Sequence, residues 1–365
     1  MMTVPADCVC AQDYEHYFAA RVDPAVRAYV DGSAADGLTA ARNRASFDRH
    51  LLMPRVLRDM RQASAATTLF GTPFAFPLGL APTAYHKLVH PDGEAATALG
   101  AALTGTPMIV STLSSTPVET LAAIDGAHLW FQLYAQPRWP DTVRLLRRAE
   151  AAGCRAIVMT VDAPLNGIRN MEQRAGFRLP AHIEAVHLRD MAPLDGPAMA
   201  PGSPVFQGLL AHAPTWDTLA AVCAATALPV LAKGILAPND AEQAVAVGCA
   251  GIIVSNHGGR VLDSTPAALE MLPHVAATID GRVPLLVDGG IRRGTDILKA
   301  LALGARAVLL GRPVLHALAV GGPAGVAHLL TVLRTELEAA MALTGCPRIS
   351  DIDAGVLAAS TVSPR

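Results

Sequence analysis

A histidine and an arginine three residues apart, His257 and Arg260, stand just beyond the apolar run Gly251-Ile252-Ile253-Val254. A short β-branched apolar run that ends abruptly in polar residues reads as a strand of a parallel sheet covered on both faces. The string Ser255-Asn256-His257-Gly258-Gly259-Arg260-Val261-Leu262-Asp263 therefore begins where a buried strand ends. Its paired glycines permit a sharp turn and a close approach of ligand to backbone. An imidazole can remove a proton while a guanidinium grips a carboxylate, so the pair suits proton abstraction from a small carboxylic acid.

The strand behind this string is one of eight similar runs. They are Pro77–Pro82, Pro107–Leu113, His128–Tyr134, Ala156–Asp162, Pro229–Ile235, Gly251–His257, Pro284–Gly290 and Ala307–Pro313. Between most of them lie segments of helical period, such as Glu94–Leu103, Asp141–Ala152, Asn239–Val247 and Asp296–Leu303. Strand alternating with helix eight times predicts an α/β protein built as a closed (β/α)8 TIM barrel. An open doubly wound sheet is the other arrangement of such units, but no run leads into a G-x-G-x-x-G helix opening.

In such barrels chemistry collects at the C-terminal strand ends. Those ends carry Thr83 and Ala84, Ser114, Gln132 and Tyr134, Thr160 and Asp162, Lys233, then Ser255, His257 and Arg260. The last two ends supply Asp288, Gly290 and Arg292, then Gly311 and Arg312. Polar side chains at nearly every end suit a large planar polar ligand. The glycine and arginine residues of the final two ends read as a phosphate site, with backbone N–H groups and cations aimed at one anion. Lys233 also has the placement of a Schiff-base lysine, a role the Ser255–Asp263 string argues against.

Two regions break the repeat within a single domain spanning 1–365. Residues 1–76 read as helices followed by a Phe70-Gly71-Thr72-Pro73 turn between short strands, a cap over the barrel floor. The barrel itself occupies 77–162 and 215–345. Residues 163–214 form a long insertion after the fourth strand, rich in Pro, Gly, Ala and Met from Met191 to Pro204, and read as a lid loop at the catalytic face.

Composition sets the outer limits. Hydrophobic residues make up 52% of the 365 and charged residues 16%, enough for a large core. A net charge of −2 argues against nucleic acid or an anionic membrane as partner. The six cysteines are scattered without CxxC or metal-ligand spacing, and no His/Glu set indicates a metal. Met1–Ala11 lacks a basic n-region and an apolar h-region, and no apolar run reads as a membrane span. A soluble, cytoplasmic protein is the expectation.

Motifs along nearly the whole chain, from about Tyr29 to Cys346, resemble the FMN-dependent 2-hydroxy acid oxidase and dehydrogenase family, which includes glycolate oxidase, lactate oxidase and mandelate dehydrogenase. The resemblance rests on Asn43-Arg44, Ala81-Pro82-Thr83-Ala84, His90-Pro91-Asp92-Gly93-Glu94, Phe131-Gln132-Leu133-Tyr134 and Thr160-Val161-Asp162. It continues through Lys233-Gly234, the Ser255–Asp263 string and Asp288–Gly294. It implies that Thr83, Ala84, Ser114, Gln132, Thr160, Lys233 and Ser255 surround the flavin of FMN. Asp288, Gly290, Arg292, Gly311 and Arg312 would hold its ribityl phosphate end. Arg169 and Arg260 would clamp a substrate carboxylate, with Tyr29 and Tyr134 as phenolic partners. His257 would act as base and Asp162 would hold its tautomer. Such a base can take the C2 proton or the hydroxyl proton, and both routes stay open. A homotetramer is likewise an implication of the resemblance.

Departures from the family point to the substrate. Thr116 stands where glycolate oxidase has a bulky aromatic, and Tyr85 and Trp130 offer aromatic surface nearby. The expectation is an (S)-2-hydroxy acid oxidase with an aromatic, mandelate-like substrate, O2 as oxidant and H2O2 as product, closest in pocket to the hydroxymandelate oxidases. A dehydrogenase delivering electrons to a quinone or cytochrome, a short-chain lactate or glycolate oxidase, and a flavin-free phosphate-binding lyase are the alternatives.

Overall fold

The computed structural model describes residues 3–191 and 202–358. Eight strands close into a barrel, each pairing in parallel with its neighbours: β1 Leu78–Leu80, β2 Met108–Ser111, β3 Leu129–Leu133, β4 Ile157–Thr160, β5 Val230–Ile235, β6 Gly251–Val254, β7 Leu285–Asp288 and β8 Ala307–Leu310. Every strand lies inside the apolar run that marked it. Side chains alternate along each one. Ile109, Trp130, Val158, Leu231, Ile253, Leu286 and Leu309 fill the barrel, whereas Val110, Phe131, Met159, Ala232, Ile252, Val287 and Leu310 pack outward under the helices.

The N-terminal segment divides between the two ends of the barrel, which corrects the reading of 1–76 as a floor cap. Only the antiparallel hairpin Thr67–Leu69/Thr72–Phe74 closes the floor. Phe70 and Phe74 meet the Trp130 ring edge-on at 5.8 and 5.9 Å, and Trp130 Nε1 donates to Thr72 Oγ1 at 2.9 Å. Trp130 is thus a floor residue and cannot flank a substrate. Helix α1 (Ala11–Arg21) packs on the C-terminal helix Arg312–Thr344.

Helices α2 (Pro24–Asp31) and α3 (Leu38–Asp48) cross to the opposite, C-terminal face. Pro24 opens α2, and Asp23 caps it by accepting from Ala25 N and Val26 N. Helix α3 presses on the loops after β6 and β7 so closely that only glycine fits there. A Cβ at Gly259 would lie 2.6 Å from Ala40 N, and one at Gly290 2.2 Å from Asn43 O. Asn43 and Asn256 exchange reciprocal amide hydrogen bonds of 2.8 and 2.9 Å, and Arg44 donates to the Gly290 carbonyl at 2.7 Å. The Asn43-Arg44 motif therefore braces the glycine loops.

The insertion carries structure of its own. It contains helix Asn170–Arg174 and a buried His187, whose Nε2 accepts from Val118 N at 3.0 Å. Much of the Pro/Gly/Ala/Met-rich stretch, residues 192–201, lies outside the described residues. Helix Arg312–Thr344 is long and apolar enough to cross a membrane, which corrects the expectation that no run qualifies. It breaks at Gly322, and 72% of its apolar window is buried within the fold.

Candidate active site

A cavity of about 190 Å³ opens at the C-terminal ends of the strands. The alternation that fills the barrel continues upward into it. Two residues beyond inward-facing Ile109, Trp130, Val158, Leu231 and Leu286 stand Ser111, Gln132, Thr160, Lys233 and Asp288, all lining the cavity. Ser111 and Leu113 escaped the motif reading, yet strand period alone, counted from Ile109, points to Ser111. The residue chosen there, Ser114, faces away. Its Oγ donates to the Thr116 carbonyl at 2.7 Å, and its own carbonyl accepts from Val186 N, so it ties the insertion to the barrel rim. Thr116 is buried as well and donates to Glu94 Oε2 at 2.9 Å. Leu113, not Thr116, is the side chain that bounds the cavity there.

Lys233 Nζ lies 3.0 Å from Asp288 Oδ2 and donates to Ser255 Oγ at 3.1 Å. Burial alone would lower the lysine pKa, but the Asp288 and Asp162 charges outweigh it and lift the value, so the ammonium keeps its proton. Gly234 follows with φ +112°, and a Cβ there would fall 2.4 Å from the Asp162 side chain. That space brings Asp162 Oδ1 to 2.9 Å from His257 Nδ1. His257 itself adopts the left-handed region, with φ 57°. Burial opposes ionisation of Asp162, yet the hydrogen bond and charge of His257, with Lys233, hold its pKa below the ordinary carboxylate value. Asp162 and Ser255 stand behind the cavity wall, while His257 is on it.

Arg169 and Arg260 converge on one oxygen, Glu172 Oε1, at 3.2 and 3.4 Å. Tyr29 stacks on Phe177 at 4.5 Å, and the Arg260 guanidinium lies 5.6 Å from the Tyr29 ring. Burial raises the pKa of both cavity phenols, that of Tyr29 to about 12, so each remains a donor. At the far side, Arg260 donates to the Val30 and Gly32 carbonyls, Arg312 to Gly258 O at 2.7 Å and Arg292 to Ile291 O at 2.9 Å. Burial lowers the pKa of all three, and Arg260 and Arg292 add to the effect on Arg312. Three crowded guanidiniums held chiefly by carbonyls form an anion site, to which the N-terminus of helix Arg312–Thr344 contributes its dipole.

Residues 18–359 match the family described as FMN-dependent dehydrogenase. The chain belongs to that family. Its relatives include an L-lactate oxidase of Alicycliphilus denitrificans, 47% identical over 350 residues, covering 96% of each chain. A 4-hydroxymandelate oxidase of Amycolatopsis orientalis is 43% identical over 322 residues, covering 88% of this chain and 90% of the relative. Among solved structures, mandelate oxidase with (S)-2-phenylpropionate superposes with a TM-score of 0.86 at 41% identity, covering 94% of this chain and 96% of that one.

The cavity of this FMN-dependent family member suits its cofactor. Among the described residues, Gln132 Nε2, Asp288 Oδ1 and Arg312 Nε are buried without any hydrogen-bond partner. An amide donor, a carboxylate acceptor and a guanidinium donor are the groups a ring, a polyol chain and a phosphate require. Thr83, Ala84, Thr160, Gly290, Gly311 and Arg292 share the same wall, as do Tyr29, Tyr134, Arg169 and Arg260. The structure thus gathers every motif-derived residue at or directly behind the cavity except Ser114.

Proposed function

We propose that the protein oxidises an (S)-2-hydroxy acid to the 2-oxo acid and reduces O2 to H2O2. The observation that carries this reading is His257, backed by Asp162, lining the same cavity as Arg169 and Arg260. With Nδ1 bound to Asp162, the His257 Nε2 is the ring nitrogen left to take the substrate proton, and Asp162 stabilises the imidazolium that results. Arg169 and Arg260 hold the carboxylate, and the protonated Tyr29 and Tyr134 donate to substrate oxygens. Lys233, Gln132, Thr160 and Ser111 would surround the flavin ring, and Arg292 and Arg312 would hold the phosphate. FMN, when bound, accepts the electron pair from the substrate and passes it to oxygen. Lactate and hydroxymandelate oxidases among the relatives support oxygen as acceptor.

For the side chain of the substrate we propose an apolar group of lactate-like size. Thr116 and Trp130, two supports of an aromatic preference, point elsewhere, and Leu113 occupies the wall. An apolar wall favours a methyl over a hydrogen by about 0.8 kcal/mol per buried carbon. Anaerobic stopped-flow reduction with glycolate, lactate and mandelate, followed by aeration, tests the proposal. Lactate should reduce the flavin fastest, and Leu113→Ala should shift the preference toward mandelate. Faster reduction by mandelate in the parent protein would sink the size assignment, and a reduced flavin persisting in air would sink the oxidase assignment. A homotetramer and a cytoplasmic location complete the proposal, with light scattering and cell fractionation as their tests.

A further inference from the structure

Thr83, on the cavity wall, is tied into a buried chain of side chains. Its Oγ1 lies 2.5 Å from His86 Nε2, and the other ring nitrogen, Nδ1, lies 2.8 Å from Thr97 Oγ1. His86 and Thr97 are buried, at 2% and 0% exposure. The His86 backbone is pinned as well, its N–H donating to Glu94 Oε1 at 3.0 Å. Glu94 in turn accepts from Ser115 N, Ser115 Oγ and Thr116 Oγ1. Neither imidazole nitrogen meets a carboxylate. Burial lowers the His86 pKa and outweighs the Glu94 charge and the Thr83 carbonyl, so the ring is neutral.

A neutral imidazole donates from one nitrogen and accepts at the other. Thr97 Oγ1 lies 3.4 Å from the Gly93 carbonyl, so it can donate there and accept from His86 Nδ1–H. In that arrangement His86 Nε2 is an acceptor, and Thr83 gives its hydroxyl hydrogen to it. Only lone pairs of Thr83 remain for the cavity.

We propose that His86 is a positioning residue that locks Thr83 as a hydrogen-bond acceptor for FMN. The proposal rests on FMN binding and is independent of which hydroxy acid is oxidised. Its ligand chemistry is a hydrogen-bearing group of the cofactor, either a ribityl hydroxyl or a ring N–H. Nitrogen-15 NMR of the holoenzyme should show His86 as the neutral tautomer protonated at Nδ1, and a proton on Nε2 would overturn the assignment. A double-mutant cycle on the dissociation constant of FMN from apoenzyme tests the coupling. Thr83→Val and His86→Phe should each weaken FMN roughly tenfold, the size of one lost hydrogen bond, and the double variant no further. Additive losses would overturn the proposal. His86→Gln, whose side-chain carbonyl can accept from Thr83, should recover most of the affinity, and a Gln variant no better than Phe would also overturn it. A midpoint-potential shift accompanying the affinity loss assigns the donor to the ring, and affinity loss alone assigns it to the ribityl chain. If His86→Phe fails to fold, the tautomer measurement still decides.

Discussion

The two ends of the cavity solve opposite electrostatic problems. At the barrel axis Lys233 and Asp288 neutralise one another 3.0 Å apart, both on strands and both almost fully buried. At the rim Arg260, Arg292 and Arg312 crowd together on loops and a helix start, with carbonyls as their main protein partners. The pair leaves Asp288 Oδ1 without a partner, yet each charge offsets the burial of the other before any ligand arrives. Crowded cations whose charges are only partly matched, by Glu172 for Arg260 and Glu15 for Arg292, destabilise the folded chain and store affinity for an anion. One end is built for the fold and a neutral ring, the other for a phosphate and a carboxylate.

The comparison breaks most readily at Lys233. Lys233→Ala strands the Asp288 carboxylate in the barrel, and such a loss costs about 3–5 kcal/mol. Urea unfolding of the apoprotein should show that loss, and an unchanged midpoint would mean that the pair is not the axial brace claimed here. His257→Gln should retain FMN and still bind substrate, yet lose at least about a hundredfold in flavin reduction rate, the usual weight of a general base. A normal reduction rate would dismiss His257 as base. Arg312→Ala should behave in the reverse sense to Lys233→Ala. Apoprotein stability should hold or rise, while FMN affinity falls by roughly 1.5–3 kcal/mol, the value of a hydrogen bond to a charged group. A destabilised apoprotein with undiminished FMN affinity would erase the distinction between the two ends.

How much of this could be read from the sequence follows the same divide. Strand-borne groups were legible because apolar runs mark strands and period two marks faces, so Gln132, Thr160, Lys233 and Asp288 fell where expected. Ser114 and Thr116 misled because they sit past the end of β2, where alternation no longer governs direction. Trp130 obeys the alternation, but it lies one inward step below Gln132, on the floor side. The passage of α2 and α3 to the catalytic face had no local signal. It depends on backbone contacts between Ala40, Asn43 and glycines more than two hundred residues away. Glu172 was invisible for a similar reason, since only the folded insertion brings it between the two arginines.

Glu172 offers the finest test of the rim. Its Oε1 serves Arg169 and Arg260 together, so the carboxylate clamp already carries a carboxylate of its own. Arg260 is oriented independently by the Val30 and Gly32 carbonyls, and Arg169 Nε donates to the Arg260 carbonyl at 3.4 Å. Glu172→Gln should therefore leave the guanidiniums in place while removing the competing charge. The three side chains are only 15–17% exposed, so solvent does little to screen the competing charge. KM for the hydroxy acid and the inhibition constant of its 2-oxo acid should both fall, with the flavin potential unmoved. A KM that rose instead would show that the ion pair orients Arg169, which would make Glu172 part of the clamp rather than a brake on it.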